Sequence, residues 1–361
     1  MNDTLNRWVR PDIRKLAAYQ VPSAEGFIKL DAMENPYTWP IELLDEWLVV
    51  LKATSVNRYP DPSGGQLSDR LREVMSIPRG QDVLLGNGSD ELIQIVAMAL
   101  SGVDRVLMAP QPSFVMYQMI ATFLGMRFTA VPLQSTDFSL DMDAMLSTIE
   151  AQSPVVIFLA YPNNPTGNHW GRSDIERIIQ AAPGLVVLDE AYAPFAVDSF
   201  MASLGHYPNL LVMRTLSKWG LAGLRLGYLC GPRDWLSEFN KVRMPYNINT
   251  LTQVSADFAL RHVAIFAEQA ECIKRNRAEL FADLQLLSGV EAFPSDANFI
   301  LFRVPEGHAD YVHQALMKRG VLIKKLSGSD PLLKDCLRVT VGTDAENQVF
   351  IAAMQEIFEL I

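Results

Sequence analysis

Short runs of consecutive apolar residues alternate along this chain with longer stretches in which apolar positions recur every three or four residues. The runs at 105–109, 127–132, 155–160, 185–189, 209–213 and 225–230 have strand length, and several break into proline, glycine, asparagine or aspartate. Between them lie helical stretches such as SDIERIIQAA (173–182), and LLGNGSDELIQIVAMALS (84–101), where Leu92, Ile95, Val96 and Ala99 share one face. Strands interleaved with helices predict an α/β unit around a mainly parallel sheet. From about residue 250 the texture changes. Helical segments at 251–261 and 263–288 lead into strand-like 290–304, a helix at 309–319, strands at 321–326 and 336–341 and a last helix at 345–361. That order reads as a smaller α+β domain. Residues 1–29 mix charges with Pro11 and Pro22 and hold no period, so the expected division is an arm (1–30), a large domain (31–250) and a small domain (251–361).

Composition narrows the function classes. Hydrophobic residues make up 49% of the 361 and charged ones 20%, which is globular rather than disordered. A net charge of −10 argues against nucleic acid or an anionic membrane as the main partner. Cys230, Cys272 and Cys336 lie far apart and are odd in number, so neither a disulfide framework nor a metal site is expected. The beginning of the chain, MNDTLNRWVRPDIRKL, has no apolar signal core, and no apolar run approaches the roughly 20 residues a bilayer requires. A reducing cytoplasm is the expected location.

The candidate chemistry centres on RTLSKWGLAGLRLGY (214–228). Lys218 sits among small and apolar residues, where desolvation lowers an ammonium pKa and frees a nucleophilic amine. Thr215, Ser217 and Arg225 around it supply hydroxyl donors and counter-charge for a phosphate. The set reads as an anchor for an aldehyde cofactor bearing a phosphate, pyridoxal 5'-phosphate; the plain alternative is a surface lysine beside a turn. The buried run GLVVLDEAY (184–192) ends in Asp189, which facing a pyridine nitrogen would keep it protonated. VVIFLAYPNNPTG (155–167) brings Asn164 to a turn, where it could donate to the ring's phenolate oxygen, as could Tyr192. Alone, Asn164 is equally a turn former and Asp189 a helix cap. Gly88, Ser89 and Asp90 open a helix whose unpaired amides suit an anion, although Glu91 stands where a dinucleotide fingerprint needs its third glycine.

NPTG (164–167), LDEAY (188–192) and TLSK (215–218) resemble the signature of the fold-type I aminotransferases. LDAMENPY (30–37), RYPDP (58–62), GNGSDE (86–91), LAGLRLGY (221–228) and CLRVTVGT (336–343) are similar to stretches of the histidinol-phosphate aminotransferase family, from about Leu16 to the C-terminus. The resemblance implies the pyridoxal-phosphate-dependent transferase fold, with a seven-stranded large-domain sheet, and Lys218, Asp189 and Tyr192 as catalytic residues. It implies that Phe114 covers the cofactor ring and that Tyr59 reaches the phosphate in the other subunit of a homodimer with shared active sites. On the substrate side it implies Tyr19, Asn35, Asn298, Lys324 and Arg338. Arg338 also stands out by pattern, because the alternation of Leu337, Val339 and Val341 puts it on the opposite strand face.

Three departures mark this chain. Met33 replaces the asparagine of LDANENPY, Lys324 stands where arginine is frequent, and one residue fewer separates Lys218 from Arg225. The implied reaction converts L-histidinol phosphate and 2-oxoglutarate into imidazole-acetol phosphate and glutamate, in histidine biosynthesis. Two other activities use the same scaffold: transamination of aromatic amino acids, and pyridoxal-phosphate-dependent decarboxylation of a phosphorylated amino acid.

Overall fold

The computed structural model describes residues 2–18 and 23–360. Seven strands form the larger sheet: β2 (Gln81–Gly86), β3 (Val106–Gln111), β4 (Arg127–Pro132), β5 (Val156–Ala160), β6 (Leu185–Asp189), β7 (Leu210–Thr215) and β8 (Gly227–Pro232). Their spatial order is β2-β8-β7-β6-β5-β3-β4. Neighbours from β7 to β4 are parallel, and β8 runs antiparallel to both β7 and β2. Every residue of β5 and β6 is buried, because helices cover both faces of the sheet. Phe158, Val187 and Met213 pack on one side with Leu92 and Val96. Ile157, Val186 and Val212 pack on the other with Ile175 and Ile178. This two-sided burial is why the strands read as continuous apolar runs.

The smaller sheet has the order β1-β11-β12-β10-β9. It joins β1 (Ile28–Leu30) to β9 (Glu291–Ala292), β10 (Phe299–Arg303), β11 (Val321–Lys325) and β12 (Cys336–Thr340). The end of the N-terminal arm is thus a strand, paired in parallel with β11. Helix Thr250–Arg261 contributes Ala256, Ala259 and Leu260 to a core that holds residues of both sheets, Val186 of β6 and Leu301 of β10 among them. The following helix, Val263–Gln285, places Phe266 in that core and Ala270, Ile273 and Leu280 in the core of the small sheet. Among the described residues no helix is long and apolar enough to cross a membrane.

The topology places the candidate chemistry along one edge. Parallel strands β2, β3, β5, β6 and β7 all point their carboxyl ends the same way, and β8, running opposite, begins there. Gly88, Phe114, Asn164, Asp189 and Lys218 follow or end the parallel strands, and Arg225 precedes β8. Close approach of β8 to the helix Gly88–Leu100 depends on Gly227. A Cβ there would lie 2.6 Å from the carbonyl carbon of Gly88 and 2.9 Å from the Ser89 amide nitrogen. Gly227→Ala is expected to cost about 1–3 kcal/mol, read by denaturant melts.

Candidate active site

A cavity of about 210 Å³ opens at that edge, and Asp189, Lys218, Tyr192, Phe114, Asn164 and Arg225 all line it. One end is built for an anion. Thr215 Oγ1 lies 2.9 Å from Ser217 Oγ and receives the Ser217 amide at 3.1 Å; Arg225 Nη1 donates to Ser217 Oγ at 3.4 Å. Arg225 takes a left-handed backbone (φ 50°), and a Cβ on Gly88 would come within 2.8 Å of its guanidinium. Ser89 and Asp90, in the first turn of the helix Gly88–Leu100, complete this end. Two hydroxyls, a guanidinium and a helix N-terminus around one end of the cavity fit a phosphate.

The other end carries a buried carboxylate. Asp189 Oδ2 accepts from the hydroxyl of Tyr117 at 2.8 Å, and Oδ1 accepts from the Ala191 amide at 3.2 Å. Burial pushes the Asp189 pKa up from 3.8 to about 7, against the pull of those two donors. Lys218 moves the opposite way, down from 10.5 to about 8, through burial first and then the nearby Arg338 and Arg225. Its ammonium donates to the Ala32 carbonyl at 3.3 Å and lies 5.8 Å from the centre of the Tyr192 ring. Burial also raises the pKa of Tyr192, whose hydroxyl points at Met33 Sδ, 3.6 Å away. A phosphate cradle, a reactive amine and a buried carboxylate around one cavity fit the cofactor expected from the sequence.

A second cleft of about 410 Å³ adjoins the first across Met33, Phe114 and Asn164. Lys324 and Arg338 line it as direct cross-strand partners on β11 and β12. Arg338 donates to Asn164 Oδ1 and, at 3.2 Å, to the Asp31 carbonyl. Two further residues expected on the substrate side, Asn298 and Asn35, bond to main-chain groups nearby. Asn298 is fully buried and its amide donates to the carbonyls of Met33 (3.0 Å) and Glu34 (3.4 Å). Asn35 donates to Gln269 Oε1 at 2.9 Å and to the Trp219 carbonyl at 3.3 Å, and its Oδ1 accepts from the Tyr37 amide. Both therefore hold the loop beside Lys218, and neither lines the two cavities. Tyr59 stands 81% exposed, stacked on Tyr246 at 4.6 Å and outside both. Tyr19 lies outside the described residues.

The sequence profile described as aminotransferase class I and II matches residues 25–354. The chain belongs to this aminotransferase family. Among relatives of this aminotransferase, histidinol-phosphate aminotransferase 2 of Nitrosococcus oceani is 54% identical, over 98% of each chain. Histidinol-phosphate aminotransferase of Chromobacterium violaceum is 51% identical, over 99% of this chain and all of its own. Histidinol-phosphate aminotransferase from Sinorhizobium meliloti, solved in complex with pyridoxal 5'-phosphate, superposes with a TM-score of 0.87 over 98% of each chain. At 23% identity that likeness establishes the shared fold. The family is pyridoxal-phosphate-dependent, so this is the cofactor of the aminotransferase described here.

Tyr117, hydrogen-bonded to Asp189, is a neighbour of the site that sequence reasoning missed. It follows Phe114 by three positions in an apolar helical run, where an aromatic reads as core. The Ala32 carbonyl was equally invisible, since nothing in a side-chain pattern marks a backbone acceptor.

The raised pKa of Asp189 has a definite sign. The folded chain holds that proton more tightly than the unfolded chain, so the contribution is fully present below about pH 4 and is lost as pH rises through about 7. In cofactor-free protein, Asp189→Asn is expected to gain a few kcal/mol relative to the unsubstituted chain between about pH 5 and about pH 8. Denaturant melts at the two pH values measure this; a difference independent of pH would show that the carboxylate is not a buried charge.

Proposed function

We propose that the chain transfers the amino group of L-histidinol phosphate to 2-oxoglutarate, giving imidazole-acetol phosphate and glutamate, a step of histidine biosynthesis. The observation that carries the substrate is the identity of 51–54% across nearly the whole chain to proteins named for that reaction. The pair of cations beside the cofactor cavity supports it, because both partners of the reaction bring an anionic group.

When bound, pyridoxal phosphate supplies an aldehyde carbon for amine exchange and a ring that takes up the electrons released at the substrate's α-carbon. The protein does the rest. Lys218 holds the cofactor and, once displaced, its amine is the base that takes the α-proton and the acid that returns it. A pKa near 8 lets it act in both forms close to neutral pH. Asp189 keeps the ring nitrogen protonated. Asn164 turns its Oδ1 to Arg338, which leaves its NH2 to donate to the ring's phenolate oxygen beside the Tyr192 hydroxyl. Ser89, Thr215, Ser217 and Arg225 hold the cofactor phosphate, with Gly88 and Asp90 shaping the turn, and Phe114 covers the ring. Arg338 offers its planar fork to the substrate's anionic end, and Lys324 adds charge without that geometry.

The working unit in this reading is a homodimer. Leu48, Val49, Val56, Met244 and Leu251 are all exposed on segments flanking Tyr59 and Tyr246 in the sequence, apolar side chains that a second copy would cover. Seated there, Tyr59 would reach the partner's phosphate site. The three cysteines are all unpaired, which suits a reducing cytoplasm.

Lys218→Ala is expected to abolish the visible absorbance shift on adding pyridoxal phosphate and to lower turnover by at least about 10⁴-fold. Turnover close to the unsubstituted value would mean that another lysine does the work. In competition, histidinol phosphate should exceed phenylalanine in kcat/KM by at least about tenfold; the reverse order would assign the chain to aromatic amino acids. Mixing Lys218→Ala with Tyr59→Ala subunits should restore roughly a quarter of the activity through hybrid dimers, and no recovery above the sum of the two would rule out a shared site.

A further inference from the structure

The chemistry above gives no task to Tyr117, whose hydroxyl nevertheless lies 2.8 Å from Asp189 Oδ2. Phenylalanine would fill the same space. The Tyr117 ring stacks on Phe158 at 5.0 Å and 17°, and meets Phe114 edge-on at 5.6 Å and 85°, contacts that need no hydroxyl. A hydroxyl buried at this depth is costly unless bonded, and here its partner is a carboxylate that is itself buried, which makes the bond charge-assisted.

The surroundings show which way that bond acts. Asp90, from the helix after β2, and Glu190, next along the chain, both disfavour a charge on Asp189, and Tyr192 lies near it as well. Glu190 is already paired with Arg214 of β7, at 2.7 Å. The Ala191 amide favours the ionised form, and Tyr117 favours it more. Burial and the adjacent carboxylate also push the Tyr117 pKa up, so its proton stays in place throughout the working pH range. The same side chain thus touches the carboxylate at one end of the cofactor ring and the aromatic that covers its face.

We propose that Tyr117 is a positioning residue for this reaction, holding Asp189 ionised and aimed at the cofactor's ring nitrogen while its ring edge sets Phe114. This rests on the reading of the cavity as the pyridoxal phosphate site. Tyr117→Phe keeps the stack and removes only the donor. With cofactor-free protein titrated by visible absorbance, its affinity for pyridoxal phosphate should fall about tenfold at pH ~6 but less than about threefold at pH ~8.5, where Asp189 ionises unaided. kcat should follow the same pH dependence, with KM for the amino donor nearly unchanged. In an Asp189→Asn background the substitution should change neither quantity further. Losses equal at both pH values, or fully additive with Asp189→Asn, would overturn the assignment and leave Tyr117 as core. Should Tyr117→Phe fail to fold, 3-fluorotyrosine placed at position 117 fits the same space and donates more strongly. Tighter cofactor binding at pH ~6 is then expected, and unchanged binding would count against the proposal. Unsubstituted protein that develops no visible band with pyridoxal phosphate would defeat the cofactor reading itself; a normal band that Tyr117→Phe leaves untouched defeats only this inference.

Discussion

Burial of two opposite charges in one cavity is the constraint on which the site depends. The same desolvation lifts the carboxyl of Asp189 toward neutrality and drops the amine of Lys218 toward it. Neither residue needs an exotic neighbour for this; each needs a strand that ends in a water-poor place. Strands β6 and β7 are adjacent and parallel, so their carboxyl ends deliver both groups to one edge. Just behind them, Arg214 on β7 grips Glu190, the residue after Asp189, through Nη2 at 2.7 Å and Nε at 2.9 Å. Ser199 Oγ and the Phe200 amide donate to the same carboxylate, at 2.8 and 2.6 Å. A buried ion pair so fully bonded ties the two strands where their spacing matters.

A second layer of order comes from backbone carbonyls. Consecutive residues 31, 32 and 33 turn their carbonyls to Arg338, Lys218 and Asn298 respectively. Met33 sits in the left-handed region at φ 53°, and its amide donates to Thr340 on β12 at 2.9 Å. The substitution of methionine for the family's asparagine therefore keeps the loop's path, since the loop is held through its main chain. What changes is the wall between the two cavities, where a thioether now faces the Tyr192 hydroxyl.

Six of the seven strands of the large sheet could be read from the sequence to within a few residues, because helices on both faces leave no polar alternation to confuse the count; β2 (Gln81–Gly86) was not among them. Lys218, Asp189, Asn164 and Arg225 were each marked in the sequence by turn residues at a strand boundary, and the fold gathers them round one cavity. Asn35 and Asn298 were harder. Their positions in the motifs were right, but an amide near a reactive lysine can serve a ligand or a loop, and only the placement of neighbouring carbonyls decides between them. Strand β1 escaped because three residues carry too little periodicity, and its pairing with β11 spans nearly 300 positions. The helix Thr250–Arg261 was found, but amphipathic spacing names a buried face without naming what buries it.

That long-range pairing bears on how the site is held. Strand β1 is paired with residues 321–323, and the residues just after it turn main-chain oxygens to Arg338 and Lys218. The roof over the lysine is thus stitched from segments almost 300 positions apart, so one slipped stitch would loosen both walls of the vitamin's pocket together.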